Sequence, residues 1–515
     1  MSRFFAKIGA DGFSFVLFGT KVSDFLRFMA LILIFSPLLL NLYDLLIALI
    51  QNIEELDYFF RDTTLSLIKN STLISMTIAT ISCLLGGILA ILFFALSSNL
   101  KRFYILLLFT FFAIEPIIYL SAFQQNILFG YISPFWQSVV TVSLSMIALC
   151  GLIFIFALSF INQESIRVAS MVASKRDILR LIIKPQLVFI VLLAFFMVFL
   201  LVFSSSEVSS ILGYRTYAED FLAQISLMDN LNQTAIATVP FYILAMVSLI
   251  ILGLFTKRYS IKFQIKERID FLLLSFINQK VILFLFTLLV FLFLSIVVLL
   301  GMQIDFSQFG MLVKENRKIL FDSLVLAFVV ASIAVIFSVF IYRTIEKIKN
   351  IYLIFTLVAL VFLTFLTPSA LIGFEVIKIM QFFNLHSEFT DYLFFVLSSS
   401  FKLIPIGVGL VAILYHKDVE DESLKFFSIS KMDIFIKIVI PTYASRWLFV
   451  VMILCVFALN ELSISILLIP IGFEVMIIKI YNLLHYGDYS TVTFLSLMQI
   501  FVIVLILILI RRITK

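Results

Sequence analysis

Polar and charged residues in this chain gather into short intervals between apolar stretches, several of them 18 residues or longer, and the stretches lack the strict alternation of barrel strands. Runs of that length cross a bilayer as helices, because lipid offers no partner to backbone N–H and C=O groups and a helix satisfies its own. The pattern predicts helices near 28–49, 72–96, 103–125, 138–160, 188–205 and 233–256, then near 281–302, 319–342, 351–378, 393–415, 444–469 and 490–510. Six spans per half is an even number, so the halves share one orientation and are related by an axis along the membrane normal. The expected fold is an all-α polytopic membrane protein of about 12 transmembrane helices in two parallel repeats, residues 1–256 and 272–515. Between them lies a basic cytoplasmic connector, KRYSIKFQIKERIDF, residues 257–271.

Composition agrees with this class: 63% hydrophobic and only 13% charged residues rule out a soluble globular domain. The 61 Phe residues carry no functional assignment.

Lys and Arg set the orientation. Arg3, Lys7, Lys21 and Arg27, then Lys101 and Arg102, segment 161–187, the connector, Arg343, Lys347 and Lys349, segment 416–441, and Arg511, Arg512 and Lys515 all fall on one side. That side is cytoplasmic by the positive-inside rule, and both termini lie on it. The opposite side carries Glu54, Glu55, Asp57 and Asp62 and the uncharged QQNILFGYISPFWQ, with Lys314, Arg317 and Lys318 as a local exception. The first 27 residues have no separate apolar core and no small-residue cleavage site, so they read as a cytoplasmic leader. The net charge of +6 is then topology and contact with inner-leaflet lipid, not a nucleic-acid signal.

One charged element is duplicated. SKRDILRLIIKP at 174–185 recurs 256 residues later as SKMDIFIKIVIP at 430–441, with Ser, Lys, Asp, two Ile and Pro in register. Each copy sits between apolar runs at the same place in its half, so both face one compartment and offer a soluble partner two docking sites.

The second copy, with Glu422, Ser423, Leu424, Ser428, Ile438, Ile440 and Pro441, resembles the Glu-Ala-Ala…Gly…Ile-x-Leu-Pro loop of ABC importer permeases. Glu422 precedes Pro441 by 19 residues, as that pattern requires; Ser423 and Leu424 replace the alanines and Ser428 takes the Gly slot. In the first copy Ala173, Ser174, Ile182 and Pro185 fit, while Ile166 and Val172 occupy the Glu and Gly slots and Glu164 stands two residues early. Segment 461–488 is similar to fused permeases for ferric iron, thiamine and related small ions in its Glu-Leu, Leu-Leu-x-Pro-x-Gly and Ile-Tyr-Asn-Leu runs. A weaker counterpart in the first half comprises Glu207, Leu212, Gly213 and residues 216–220, and Pro116 and Pro368 lie at equivalent places in the third helix of each half.

The resemblance implies a fused type I ABC importer permease: a transport subunit, not an enzyme, in a bacterial cytoplasmic (inner) membrane. Each loop would form a coupling helix seated in an ATPase subunit. Its residues would be Glu164, Arg167, Ser174, Lys175, Asp177 and Pro185 in loop 161–187, and Glu422, Ser428, Lys431, Asp433 and Pro441 in loop 416–441. The implied partners are two copies of an ABC ATPase, which hold ATP and Mg, and an extracytoplasmic solute-binding protein. No cofactor is expected on this chain, and no G-x-x-x-x-G-K-[ST] occurs in it. The implied mechanism is alternating access for a small cationic or metal solute, ferric iron first and thiamine second.

Ionisable residues within lipid are costly and face a pathway or each other. Glu115 and Glu375 near the outer ends of the third helices, Glu207 and Glu461 after the fifth, and Lys402 in the tenth span are the candidate solute-pathway groups. Helix–helix hydrogen bonding, or simple placement at the interface, is the competing role for each. His386, His416 and His485 show no metal-ligand spacing, and Cys83, Cys150 and Cys455 show no paired spacing and read as packing residues. A twelve-helix secondary transporter of the major facilitator type shares the count and symmetry. Its charged Gly-Asp-Arg signature between the second and third helices meets only SSNLKRFY here. A membrane enzyme acting on lipid-linked substrates would need acidic or His clusters on the loops, and loop 124–138 has none.

Overall fold

The computed structural model describes residues 31, 35–48, 50, 61–159, 177, 184–227, 231–259, 279–305, 307, 309–348, 351–385, 387–416 and 440–513, and these are mostly helical with no strand among them. In the first half the helices are α1 (Phe35–Ala48), α2 (Asp62–Ala95), α3 (Ser98–Ala113), α4 (Pro116–Gln124), α5 (Pro134–Ser159), α6 (Lys184–Phe203), α7 (Glu207–Ile211), α8 (Tyr217–Leu227) and α9 (Val239–Tyr259). One-turn pieces at Ile127–Gly130 and Leu231–Ile236 lie between them. The second half runs α10 (Gln279–Met302), α11 (Phe309–Lys347), α12 (Ile351–Leu366), α13 (Ser369–Phe382), α14 (Glu388–His416), α15 (Ile440–Ala458), α16 (Ser463–Leu468), α17 (Met476–Tyr486) and α18 (Tyr489–Ile513).

Eight of these helices are long and apolar enough to cross a membrane, or ten if each of two bent pairs is one span, as expected of a multi-pass membrane protein. Two further apolar helices, Phe35–Ala48 and Ala444–Ala458, are shorter.

The expected unbroken spans at 103–125 and 351–378 are each interrupted. α3 and α4 meet at 80°, and Thr356–Phe365 and Ser369–Phe382 at 95°. Proline causes both breaks: it lacks an N–H, and its ring drives the preceding residue out of the helical region. Glu115, before Pro116, accordingly sits at φ −62°, ψ 139°, and Pro368 itself caps α13 at φ −53°, ψ 134°. The freed carbonyls find partners. Tyr119 donates its hydroxyl to Phe111 O at 2.7 Å in the first half, and Lys402 Nζ donates to Phe365 O at 2.8 Å and Thr367 O at 2.6 Å in the second.

The expected span 444–469 is also interrupted. α15 ends at Ala458, and the chain restarts in the short α16, as α6 gives way to α7 in the first half.

The chain packs as two compact units, and neither is a contiguous half. One comprises Ala48–Val313 and Ile480–Phe501; the other comprises Met1–Ile47, Lys314–Lys479 and Val502–Lys515. Each unit therefore takes the first helix of the opposite half. In the first, α10 packs on α2 and α4, Phe286 meets the rings of Phe103 and Tyr104 at 6.1 Å each, and Phe293 meets Phe111 at 5.6 Å. Gln303 Nε2 donates to Ala122 O at 3.1 Å. In the second, α1 is joined to α13 through Asn41 and Asp44.

Small residues set a close crossing in each unit. A Cβ on Gly86 of α2 would lie 2.5 Å from Cys150 Cβ on α5, and a Cβ on Gly407 of α14 would lie 2.2 Å from Ser338 Oγ on α11. Without a hydrophobic drive between helices in lipid, such close backbone approach is what lets packing and polar contacts hold them. Ser338 uses the approach, donating to Ala334 O at 2.7 Å and across to Ile404 O at 3.0 Å. Thr77 and Thr80 on α2 instead bond to carbonyls one turn back, which lets them sit exposed to an apolar medium.

Candidate functional site

Of the expected coupling residues, Glu164, Arg167, Ser174, Lys175, Glu422, Ser428, Lys431 and Asp433 lie outside the described residues, as does most of the 257–271 connector. Asp177 is helical and exposed. Pro185 is the second residue of α6 and Pro441 the second of α15, the helix-entry position where a missing N–H costs nothing.

The polar residues of the first unit converge where α6 ends. Ser204 and Ser205 turn their hydroxyls back to Leu201 O and Val202 O at 3.0 and 3.1 Å. Glu207 then opens α7, its Oε2 accepting the N–H of Ser206 at 3.1 Å, and Ser210 Oγ donates to Glu207 O at 3.0 Å. Gly213, at φ +69°, turns the chain in the left-handed region that glycine enters without strain. α8 follows, and its first N–H, on Tyr217, is accepted by Ser71 Oγ at 2.7 Å.

This route places Glu207, Ser210 and Glu219 around Tyr481 of α17, whose hydroxyl lies 3.3 Å from Ser210 Oγ. Burial lifts the Tyr481 hydroxyl above its usual range; the Ser210 contact opposes the rise, and the charges of Glu207 and Glu219 add to it. Glu219 is half-buried, and among the described residues no group bonds to its buried Oε2. Burial raises its carboxyl above the ordinary carboxylate range, against the lowering influence of the Thr216 contact and Arg215. The His485 ring stands edge-on to Tyr481 at 4.7 Å. Two carboxylates and two hydroxyls so arranged make a half-buried region of negative potential, suited to a positively charged group.

The second unit repeats the local build. Glu461 Oε1 accepts the N–H of Ile464 at 3.3 Å, Ser465 Oγ donates to Glu461 O at 2.6 Å, and Gly472 turns the chain at φ +84°. The first N–H of α17, on Met476, is accepted by Ser323 Oγ at 2.8 Å, as Ser71 serves Tyr217. Glu207 and Glu461 are thus both half-buried at the start of a short helix after a long one.

The other candidates are dispersed. Glu115 is half-buried at the α3–α4 break. Glu375, fully buried in α13, accepts from Asn41 Nδ2 at 3.3 Å, and its Oε2 lies 2.7 Å from Lys378 Nζ as an ion pair outside hydrogen-bond alignment. Lys378 also pairs with Asp44 and stands 4.9 Å from the Phe374 ring centroid. Lys402 directs its ammonium to the carbonyl end of α12, where the helix dipole favours a cation. For Glu375 and Lys402 the helix–helix role accounts for the partners seen.

Sequence reasoning missed Ser210, Glu219, Tyr481, Asn41, Asp44 and Lys378. Tyr481 falls within the Ile-Tyr-Asn-Leu run and Glu219 within the 216–220 counterpart, the signals that pointed at them; the others were single polar residues in unremarked places. The three cysteines are free, as their spacing suggested, but α2 and α5 bring the sulfurs of Cys83 and Cys150 to 3.8 Å. Sequence spacing does not reveal which faces of two helices meet. Among the described residues no group of three or more His, Cys, Asp or Glu is placed to hold a metal ion. No protein-family model, curated protein or solved structure matches the chain.

Proposed function

We propose that this chain is the transmembrane permease subunit of an ABC importer, with both permease halves in one polypeptide. The observation that carries the reading is the duplicated charged element, 174–185 and 430–441, each ending in a proline at the second position of a helix. The paired proline breaks, the paired serine-held helices and the reciprocal placement of α1 and α10 support it, since they recur in both halves. In this reading twelve spans cross a bacterial inner membrane with both termini cytoplasmic. Two ATPase subunits seat the two loops, and a binding protein delivers solute to the opposite face.

The solute is a small cation, with ferric iron ranked before thiamine. Glu207, Ser210, Glu219 and Tyr481 lie past the outer end of α6 in this topology, where a cation entering from the binding protein would meet two carboxylates and two hydroxyls. ATP-driven closure of the partners would pass through the loops and rock the halves between outward and inward access.

The test is to look for a P-loop ATPase encoded beside the chain and co-purify the two, followed by ATPase assays in nanodiscs with candidate loaded binding proteins. Two ATPase copies per chain and stimulation by one loaded binding protein are expected. Uptake that persists without any ATPase and follows an ion gradient would replace this reading with the secondary transporter. Glu207→Gln with Glu219→Gln should reduce uptake while leaving ATPase assembly intact.

A further inference from the structure

The Cys83–Cys150 pair is chemistry that the transport reading does not use. Their sulfurs lie 3.8 Å apart across α2 and α5, and Cys83 Sγ is 4.0 Å from Val191 O on α6. One turn along α2, a Cβ on Gly86 would fall 2.5 Å from Cys150 Cβ, so the two backbones run nearly in contact beside the pair. A disulfide needs Cβ atoms about 3.5–4.5 Å apart and sulfurs at about 2.05 Å, which only such a close crossing lets two helices reach by side-chain rotation. The two thiols also differ in access. Cys150 is fully buried, whereas Cys83 is half-buried, and Val191 beside its sulfur is 44% exposed.

We propose that Cys83 and Cys150 form a dithiol oxidation site that closes to a disulfide across α2 and α5 when a lipid hydroperoxide reaches Cys83. The sulfur of Cys83 attacks the terminal peroxide oxygen; the O–O bond breaks, the lipid leaves as its alcohol, and Cys83 becomes a sulfenic acid. Cys150 sulfur then attacks Cys83 sulfur, the S–O bond breaks, and water leaves with the remaining thiol proton. Overall, two thiols and one hydroperoxide give one disulfide, one alcohol and one water. An accessible thiol beside a resolving thiol is the arrangement that stops oxidation at the reversible disulfide. The product ties the two helices at a close crossing.

The test uses the full chain in phosphatidylcholine nanodiscs treated with linoleic acid hydroperoxide, followed by intact-mass measurement and non-reducing peptide mapping. Wild type should lose the mass of two hydrogens, yield a linked Cys83–Cys150 peptide, and keep Cys455 free for maleimide labelling after denaturation. Cys150→Ser should instead gain one oxygen at Cys83, trapped by dimedone, and Cys83→Ser should leave Cys150 as a free thiol. Dithiothreitol should restore the wild-type mass. Sulfenic or sulfinic acid accumulating on Cys83 in wild type without the linked peptide would overturn the proposal. So would a linked peptide involving Cys455, or two unreacted thiols at a hydroperoxide concentration that oxidises Cys83 in the Cys150→Ser variant.

Discussion

Ser71 Oγ accepts the backbone N–H of Tyr217 at 2.7 Å, binding the first third of α2 to the first residue of α8. Ser323 Oγ does the same for Met476 at 2.8 Å, binding α11 to α17. Both serines are buried, so removing the hydroxyl takes away the acceptor that each N–H uses here. The loss of one such hydrogen bond costs about 0.5–1.5 kcal/mol. Ser71→Ala and Ser323→Ala should each lower the thermal unfolding midpoint in detergent, with Ser→Thr at either site losing less. An unchanged midpoint in both alanine variants would mean that these bonds do not hold the short helices.

The α1–α13 junction should be intolerant of half-removal. Glu375 is fully buried beside Lys378, which Asp44 also engages. Breaking a buried ion pair by deleting one partner costs about 3–5 kcal/mol, because the other charge is left uncompensated. Lys378→Met should therefore destabilise strongly, and adding Glu375→Gln should recover part of the loss. Size-exclusion profiles and thermal unfolding of the single and double variants report it; a double variant no better than Lys378→Met would argue against coupling.

At the α11–α14 crossing, Gly407→Ala would set its Cβ 2.2 Å from Ser338 Oγ and 3.0 Å from Ser338 Cβ. Overpacking of this kind costs about 1–3 kcal/mol. Adding Ser338→Gly removes both obstructing atoms and should restore most of the stability, giving the crossing a glycine on its α11 side, as Gly86 supplies on α2. Equal melting of Gly407→Ala and the double variant would place the strain elsewhere.

Glu219 predicts a pH slope. Burial raises its folded-state carboxyl above the unfolded value, so the folded state holds the proton at pH values where the unfolded chain has released it. Stability should then fall as pH rises from the ordinary carboxylate range through the raised folded value. Glu219→Gln should flatten that decline without reversing it. Thermal unfolding across that window, for wild type and Glu219→Gln, gives the comparison; superimposable profiles would remove Glu219 as the source.

Helical, multi-pass character was legible in the sequence because apolar run length is a local property, and lipid leaves few backbone solutions for such a run. The recurrence of 174–185 at 430–441, and the equivalence of Pro116 and Pro368, could likewise be read from residue order alone. Proline is a local determinant, yet the bends of 80° and 95° and the carbonyl partners that make them tenable, Tyr119 and Lys402, emerged only in three dimensions. That Glu375 and Lys402 lie within hydrophobic runs is visible in the sequence, while the identity of a partner hundreds or tens of residues away is not. The placement of α1 with the second half and α10 with the first, and the meetings of Asn41 with Glu375, Cys83 with Cys150 and Ser210 with Tyr481, depend on which helix faces come together. In lipid that choice is made by close packing and polar contacts at small residues such as Gly86 and Gly407, and an apolar sequence carries almost no periodic signal for it.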